Sequence, residues 1–185
     1  MTKSLKGSRC AFVVIKFRIE GEDHLLMRRD PDWKDINFIG GHERPQDGRS
    51  LGRAARRELL EEVPALRTFN SFELVPLTEE ISHGPIFSRS AGCQVKYVLR
   101  FFMLRFIDNP KPLFEALGPR TLNILVNESD LLIRHRSGIS GLVNVLDSTL
   151  RGGLRAIPYS WPEDLGTALR GSKFSRRDQP SLPLH

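Results

Sequence analysis

The first part of the chain alternates apolar runs with short polar turns, a pattern typical of strands. Residues 10–19 are β-branched and aromatic, and a second apolar run, 24–29, follows the polar turn 20–23. Two such runs joined by a short turn predict a β-hairpin. Residues 30–35 then predict a loop, and 36–50 predict a short apolar entry followed by a loop rich in Gly, Pro and Asp.

The strongest helix signal comes directly after that loop. Ser50 is a suitable N-cap, and the helix that it begins is predicted to run from Leu51 to about Val63. Pro64 should end the helix, because the residue before a proline avoids helical geometry.

The second half of the chain predicts more strands and a late helix. Residues 71–82 and 94–107 predict an antiparallel pair joined by a linker at 83–92, and 121–127 predict one further strand. Residues 128–150 predict a mostly helical segment, in which the helical spacing of Leu and Val over 131–150 gives a core-facing stripe. Strands with one early and one late helix predict an α+β fold, arranged as an α/β/α sandwich around a mixed β-sheet.

A change of composition after residue 150 predicts how the chain is divided. Residues 1–150 have the usual size of one domain, and residues 151–185 form a C-terminal extension rich in Gly, Pro and Arg. A short helix near 162–169 is a candidate within this extension. The last dozen residues predict a disordered tail.

Composition argues against a disordered chain and against a membrane span. Apolar residues make up 39% of the 185 residues, enough for a core, and no apolar run approaches the roughly 18 residues of a membrane helix. Lys16 interrupts the N-terminal apolar stretch too early for a signal peptide, so we expect a cytoplasmic protein. Cys10 and Cys93 offer no disulfide framework and no zinc spacing, so both are expected to fill the core.

The formal net charge of +6 leaves two interpretations open. An excess of cations favours an anionic partner, such as a nucleotide, a nucleic acid or an acidic protein, whereas the alternative is a merely solubilising surface. Lys and Arg are spread along the chain without the interleaved aromatics of an RNA-binding sheet. Nucleic acid is therefore a conceivable partner but not the favoured one.

Three glutamates stand close together at the end of the early helix. Glu58, Glu61 and Glu62 are related as i, i+3 and i+4, so they share one helix face. They repel one another, and they occupy the last turns, where a helix prefers cations. Hard divalent ions such as Mg²⁺ take carboxylate ligands. The cluster is therefore either a metal site or an ordinary solvated acidic face.

The residues around this helix resemble the signature of the Nudix hydrolase superfamily. That signature is a glycine, five residues, a glutamate, seven residues and then Arg-Glu-aliphatic-x-Glu-Glu-x-Gly-aliphatic. The run RELLEE at 57–62 matches its second half, and Gly40 and Gly41 match the double glycine that opens it. The clear similarity covers about residues 10–65.

The loop inside this motif departs from the family pattern. It holds two extra residues between Gly41 and Arg57, and Arg49 stands where the early glutamate is expected. In the family that glutamate helps to organise the loop, often by pairing with the motif arginine. We therefore hypothesise that Asp47 or Glu43 replaces it as the partner of Arg57.

The resemblance implies a Mg²⁺- or Mn²⁺-dependent hydrolase that cleaves a pyrophosphate bond in a nucleoside diphosphate linked to another moiety. It implies a catalytic set in which carboxylates bind the metal, Glu58 is a ligand or the base that orients water, and an arginine orients the carboxylates. That catalytic set is Arg57, Glu58, Glu61 and Glu62, and the metal ligands are the Gly40 carbonyl, Glu58, Glu61 and Glu62.

Further candidates surround this set. The substrate-binding candidates are Arg28 and Arg29, at the end of the second strand, and Gly41. The resemblance also implies one further acidic metal ligand from another part of the chain. The candidates are Glu79, Glu80, Glu115 and Glu128, each of which could instead be a surface carboxylate. Stacking on a base is a role for Trp33, Phe38 or Phe87, although lone aromatics near strands usually belong to the core. His42 and His83 lie near these loops without a partner at metal spacing.

Three functions follow from these residues. The complete run at 57–62 favours a pyrophosphohydrolase acting on a nucleotide-derived small molecule. Arg49 and the altered loop favour a Nudix-fold nucleotide-binding or sensor domain without turnover, and the basic balance suggests an RNA-directed member. A homodimer is the assembly that the resemblance suggests. The sequence names neither the substrate nor the leaving group.

Overall fold

The computed structural model describes residues 6–29, 36–69, 71–88, 91–116, 122–134 and 141–166. The helices within these ranges are α1 Leu51–Glu62, α2 Lys111–Ala116, α3 Glu128–Arg134 and α4 Gly141–Thr149. The strands are β1 Lys6–Val14, β2 Lys16–Ile19, β3 Glu22–Arg29, β4 Ile36–Asn37, β5 Ile39–His42, β6 Phe72–Pro76, β7 Ile81–Ser88, β8 Cys93–Phe106 and β9 Asn123–Asn127. In this described part of the chain, no helix is both long and apolar enough to cross a membrane.

The first apolar run is divided at Ile15 into two strands of different sheets. β1 pairs antiparallel with β5 and parallel with β8, while β2 pairs antiparallel with β3. The predicted hairpin is confirmed for β2 and β3 only. The prediction of one strand over residues 10–19 was wrong, because the chain passes from one sheet to the other at Ile15.

β8 is the centre of the larger sheet, which has the order β5-β1-β8-β6 with β7 also paired to β8. It runs antiparallel to β6 and to β7, which confirms the predicted antiparallel pairing. The linker predicted at 83–92 was partly wrong, since Ile81–Ser88 forms a strand on β8. The smaller sheet has the order β2-β3-β4, with β9 on the other edge of β3.

Alternating side chains of β1 divide the core into two apolar clusters. Val13 packs in one cluster with Leu59 of α1, and Phe12 packs in the other with Leu131 of α3 and Leu146 of α4. Successive side chains of a strand point to opposite faces of its sheet, so a strand that is apolar at every position has both faces covered. The α+β sandwich with a mixed sheet is therefore confirmed.

The late helical segment consists of α3 and α4, and residues 135–140 between them lie outside the described residues. The described part of the predicted extension packs against the smaller sheet. The Ser160 amide donates to the Lys16 carbonyl at 2.7 Å, and the Leu165 amide donates to the Arg18 carbonyl at 2.9 Å. A division of the chain at residue 150 stays a prediction. Of the candidate helix near 162–169, residues 162–165 are not helical, Gly166 is helical, and residues 167–169 lie outside the described residues, as does the predicted tail.

The two cysteines have different surroundings. Cys10 lies on β1 with 3% of its surface exposed, as predicted for a core residue. Cys93 is only half-buried at the start of β8, so the prediction that it fills the core was wrong.

Candidate active site

The loop between β5 and α1 brings the motif residues to one place. It contains a 3-10 turn at Pro45–Asp47 and two left-handed residues, Gly48 and Arg49, with φ of 61° and 59°. Ser50 follows, and its Oγ accepts a hydrogen bond from the Arg53 amide at 3.3 Å, which confirms it as the N-cap of α1. The helix ends at Glu62, as the following Pro64 predicts.

Glu62 closes the helix onto β5. Its Oε2 accepts a hydrogen bond from the Gly40 amide at 3.0 Å, and its Oε1 contacts the guanidinium of Arg28. A side chain at Gly40 is excluded, since φ there is +144° and a Cβ would lie 2.2 Å from the Ala11 carbonyl oxygen. Burial raises the pKa of the Glu62 carboxyl, and the Gly40 amide and Arg28 offset this only in part.

Glu58 lies one helical turn before Glu62, against the other glycine of the pair. It is buried, and a Cβ on Gly41 would come within 2.9 Å of its Oε1. Arg57 Nη1 donates to the same oxygen at 2.6 Å. The small residue at Gly41 therefore makes room for a buried carboxylate beside the β5 backbone.

Asp47 is the carboxylate that holds Arg57. Arg57 donates from Nε to Asp47 Oδ1 at 3.1 Å and from Nη2 to Oδ2 at 2.9 Å. Its Nη2 also donates to the His42 carbonyl at 2.9 Å. The hydrogen bond from Arg57 is the main reason why the pKa of Asp47 lies below its ordinary value.

The structure thereby decides between the two hypothesised partners of Arg57. Asp47 is confirmed as the partner, with 3% of its surface exposed. Glu43 instead pairs with Arg9, whose Nε lies 3.0 Å from Glu43 Oε2. The lengthened loop of this chain supplies the carboxylate in place of the residue at Arg49.

Arg44 belongs to the site although the sequence did not indicate it. Its two terminal nitrogens donate to the two oxygens of Glu61 at 3.1 and 3.2 Å, and Nη2 lies 3.8 Å from Glu58 Oε1. Nothing in the sequence separates Arg44 from the other arginines of the loop. Only the folded loop places it over the carboxylates.

Comparison with known proteins identifies the fold of this chain. No family model matches the sequence, and no curated protein gives a match. Among solved structures, a NUDIX hydrolase from Alicyclobacillus acidocaldarius is similar, with a TM-score of 0.51 and 12% identity over 83% of this chain and 96% of that chain. This chain has the Nudix fold.

Two further solved structures are similar with lower TM-scores. An Ap4A hydrolase from C. elegans is 16% identical over 78% of this chain and 98% of that one, with a TM-score of 0.48. NrtR from Shewanella oneidensis is 12% identical over 68% of this chain, with a TM-score of 0.49. This chain spans 54% of the length of that NrtR. At such identities the likeness concerns the fold alone.

Carboxylate and carbonyl oxygens, such as those of the α1 glutamates and Gly40, are the donor type that hard divalent cations take. Each of the three glutamates contacts an arginine: Glu58 with Arg57, Glu61 with Arg44 and Arg57, and Glu62 with Arg28. Within the described ranges, no three acidic, histidine or cysteine side chains are grouped so that they could hold a metal ion. The carboxylates attract cations here, and the cations that they contact are guanidinium groups.

Of the two predicted arginines on β3, the structure brings one to the glutamates. Arg28 contacts Glu62, whereas Arg29 follows it on the strand and so points to the opposite face. The role of Arg28, Arg29 and Gly41 in binding substrate stays a prediction.

The candidates for an additional acidic ligand have other surroundings. Glu128 is buried and pairs with Lys16 Nζ at 2.6 Å, and Glu80 pairs with Arg9 at 2.8 Å. Glu79 is exposed, and the side chain of Glu115 lies outside the described residues. None of these four is brought to the α1 carboxylates by a contact among the described side chains.

The aromatic and histidine candidates lie in different surroundings. Phe38 is a core residue whose ring stacks edge-on against Phe101, with centroids 5.9 Å apart, whereas Phe87 is 62% exposed on β7. Trp33 lies outside the described residues. His42 Nδ1 lies 2.8 Å from Ser8 Oγ, and His83 is half-buried on β7.

Proposed function

We propose that this protein is a Mg²⁺- or Mn²⁺-dependent hydrolase that cleaves a pyrophosphate bond in a nucleoside diphosphate linked to another moiety. One observation carries the proposal. Glu58, Glu61 and Glu62 lie along one face of α1, and the first and last of them pack against the double glycine of β5.

Different residues would have different roles in such a reaction. Glu58, Glu61, Glu62 and the Gly40 carbonyl would hold the cation once it displaces the arginines that these carboxylates contact. When bound, a divalent cation neutralises phosphate charge and lowers the pKa of a coordinated water. Glu58 is the candidate that orients the attacking water and accepts its proton.

Arg57 supports these carboxylates from behind. Its guanidinium is held by Asp47 and by the His42 carbonyl, so its remaining donor is directed to Glu58 at 2.6 Å and Glu61 at 3.3 Å. A group fixed in this way keeps the two glutamates oriented without rearrangement during the reaction. Arg57 is therefore a positioning residue.

Activity with and without metal tests the proposal. The purified protein is incubated with a panel of nucleoside diphosphate derivatives, in Mg²⁺, in Mn²⁺ and in chelator, beside the variant Glu61→Gln/Glu62→Gln. We expect metal-dependent product, and a loss of about 100-fold or more in the variant. Glu73→Gln removes a half-buried carboxylate on β6, which pairs with Arg105, and serves as the control. Product that persists in chelator, or in the double variant, contradicts the proposal.

A binding or sensor domain without turnover is the second candidate. It is supported by Arg49 at the place of the motif glutamate and by the arginine that contacts each of the three carboxylates. Calorimetric binding of a panel member, with no product from any of them in either metal, supports this alternative. The possible homodimer and an RNA partner stay predictions from the sequence.

A further inference from the structure

The loop between β5 and α1 carries an open groove beside the carboxylates. One wall of the groove is Arg44, which also contacts Glu61, so the groove and the carboxylate cluster adjoin. We name this feature the loop groove. It is lined by Glu43, Arg44, Pro45, Gly48 and Arg49.

The guanidinium of Arg44, which lines the groove, can exchange its contact with Glu61 for a contact with a ligand. Its side chain is 46% exposed and that of Glu61 is 38% exposed. An ion pair that is this well solvated contributes little to stability, so exchanging it costs little. The same planar fork that now matches a carboxylate also matches a phosphate group.

Arg49 adds a second positive charge to the same groove. Its backbone is left-handed, a conformation that non-glycine side chains rarely adopt, and it is exposed. Within the described part of the chain, its guanidinium makes no hydrogen bond or ion pair. Where the family motif has a carboxylate, which would repel phosphate, this chain directs a cation into the groove.

From this arrangement we propose that Arg44 and Arg49 form a subsite in the loop groove for a phosphate group of the substrate. The inference rests on the proposed function for the source of that phosphate. It also explains the reversed charge at Arg49. Three carboxylates attract a cation, and two arginines beside them attract an anion, which matches the charges of a metal-bound diphosphate.

Direct binding of inorganic pyrophosphate tests the subsite without turnover. Calorimetric titrations in low-salt buffer with chelator compare the wild type with Arg44→Gln, Arg49→Gln and the double variant. Each lost charge-assisted contact should weaken binding about tenfold. Arg56→Gln is the matched control, because Arg56 is an exposed arginine of α1 that packs on the Phe72 ring at 5.0 Å. It should bind pyrophosphate as the wild type does.

The outcomes separate this inference from the proposed function. Binding that is lost in the loop variants supports the subsite even if no substrate is hydrolysed, in which case the proposed function fails alone. Wild-type affinity in both single variants, or an equal loss in Arg56→Gln, overturns the subsite even if hydrolysis is found. If turnover is found, Arg44→Gln and Arg49→Gln should raise KM more than they lower kcat. Absence of pyrophosphate binding by the wild type also overturns the subsite.

Discussion

The carboxylate cluster on α1 and the network around Lys16 are both built from opposite charges, but water reaches them very differently. In the cluster, the Glu61 and Arg44 side chains are 38% and 46% exposed. In the network, Lys16 is 1% exposed and lies 2.6 Å from Glu128 and 2.9 Å from Asp23. The pair of Glu61 and Arg44 can therefore exchange partners with molecules from solvent, whereas Lys16 cannot.

This difference shows why an acidic residue cannot be assigned a role from its type alone. The sequence offered Glu128 as an additional metal ligand, on the same footing as other late carboxylates. In the structure its carboxylate pairs with Lys16, which joins β2 to the first residue of α3 and, through the Leu154 and Arg155 carbonyls, to the 3-10 turn at Gly153–Ala156. Glu61 is available because its ion pair with Arg44 is exposed to solvent on both sides.

Removing the buried cation should have the largest effect. Lys16→Met leaves the buried Glu128 carboxylate without its cation, and breaking one side of a buried pair costs about 3–5 kcal/mol. Urea unfolding should show that decrease in the free energy of unfolding. Arg18→Met, which removes an exposed cation beside Asp23, should change it by less than about 1 kcal/mol. Equal effects of the two variants would remove the contrast between the buried network and the exposed cluster.

Replacing Asp47 should have the next largest effect, and it should appear in activity as well as stability. Asp47→Ala leaves Arg57 without its bidentate partner, which we expect to cost roughly 1.5–3 kcal/mol in unfolding free energy. If hydrolysis is found, kcat should fall about as far as in Arg57→Gln, and the double variant should fall no further. Full activity in Asp47→Ala would show that Arg57 needs no such partner.

The two regions should respond to pH in opposite directions. The pKa of Asp47 is lowered on folding, so its contribution to stability is present above the ordinary Asp pKa and is lost as pH falls through the folded value. Burial lowers the pKa of Lys16, but hydrogen bonds to Glu128 and Asp23 prevail and raise it, so its contribution is lost only as pH rises through the folded value.

Unfolding curves over a range of pH check both signs. The stability difference between wild type and Asp47→Asn should shrink in acid, while that between wild type and Lys16→Met should shrink in strong base. A difference for Asp47→Asn that stays constant down to the acid limit would contradict the assigned ion pair.

The smallest effect is expected at an exposed ion pair that belongs to neither region. Glu80 pairs with Arg9 at 2.8 Å, and its side chain is 44% exposed. Glu80→Gln should change the free energy of unfolding by less than about 1 kcal/mol in thermal or urea unfolding. A larger loss would mean that exposure is a poor guide to which ion pairs hold this fold together.

Much of the fold was predictable because it follows from local patterns. The N-cap at Ser50, the stop at Pro64 and the face shared by Glu58, Glu61 and Glu62 depend only on residues within a few turns of one helix. The division of β1 from β2 at Ile15 was missed. An uninterrupted apolar run carries no mark of the point at which its chain leaves one sheet for another.

The site was also predictable only in part. A family resemblance identified the motif residues, and charge balance suggested that Arg57 needs a carboxylate. The sequence could not choose Asp47 over Glu43, because both lie on one irregular loop. Nor could it find Arg44, because the direction of a loop side chain depends on backbone angles that no periodic pattern encodes.

By itself, then, the sequence determined the acidic helix, its glycine-rich approach and the α+β arrangement, since these depend on short-range spacing and burial. Only the tertiary structure decided which charges meet. In it, Asp47 pairs with Arg57, Glu128 with Lys16, and Arg44 with Glu61. The partners in these pairs are 10 to 112 positions apart along the chain. Electrostatic partners are selected by distance in space, and that distance exists only once the sheets have packed.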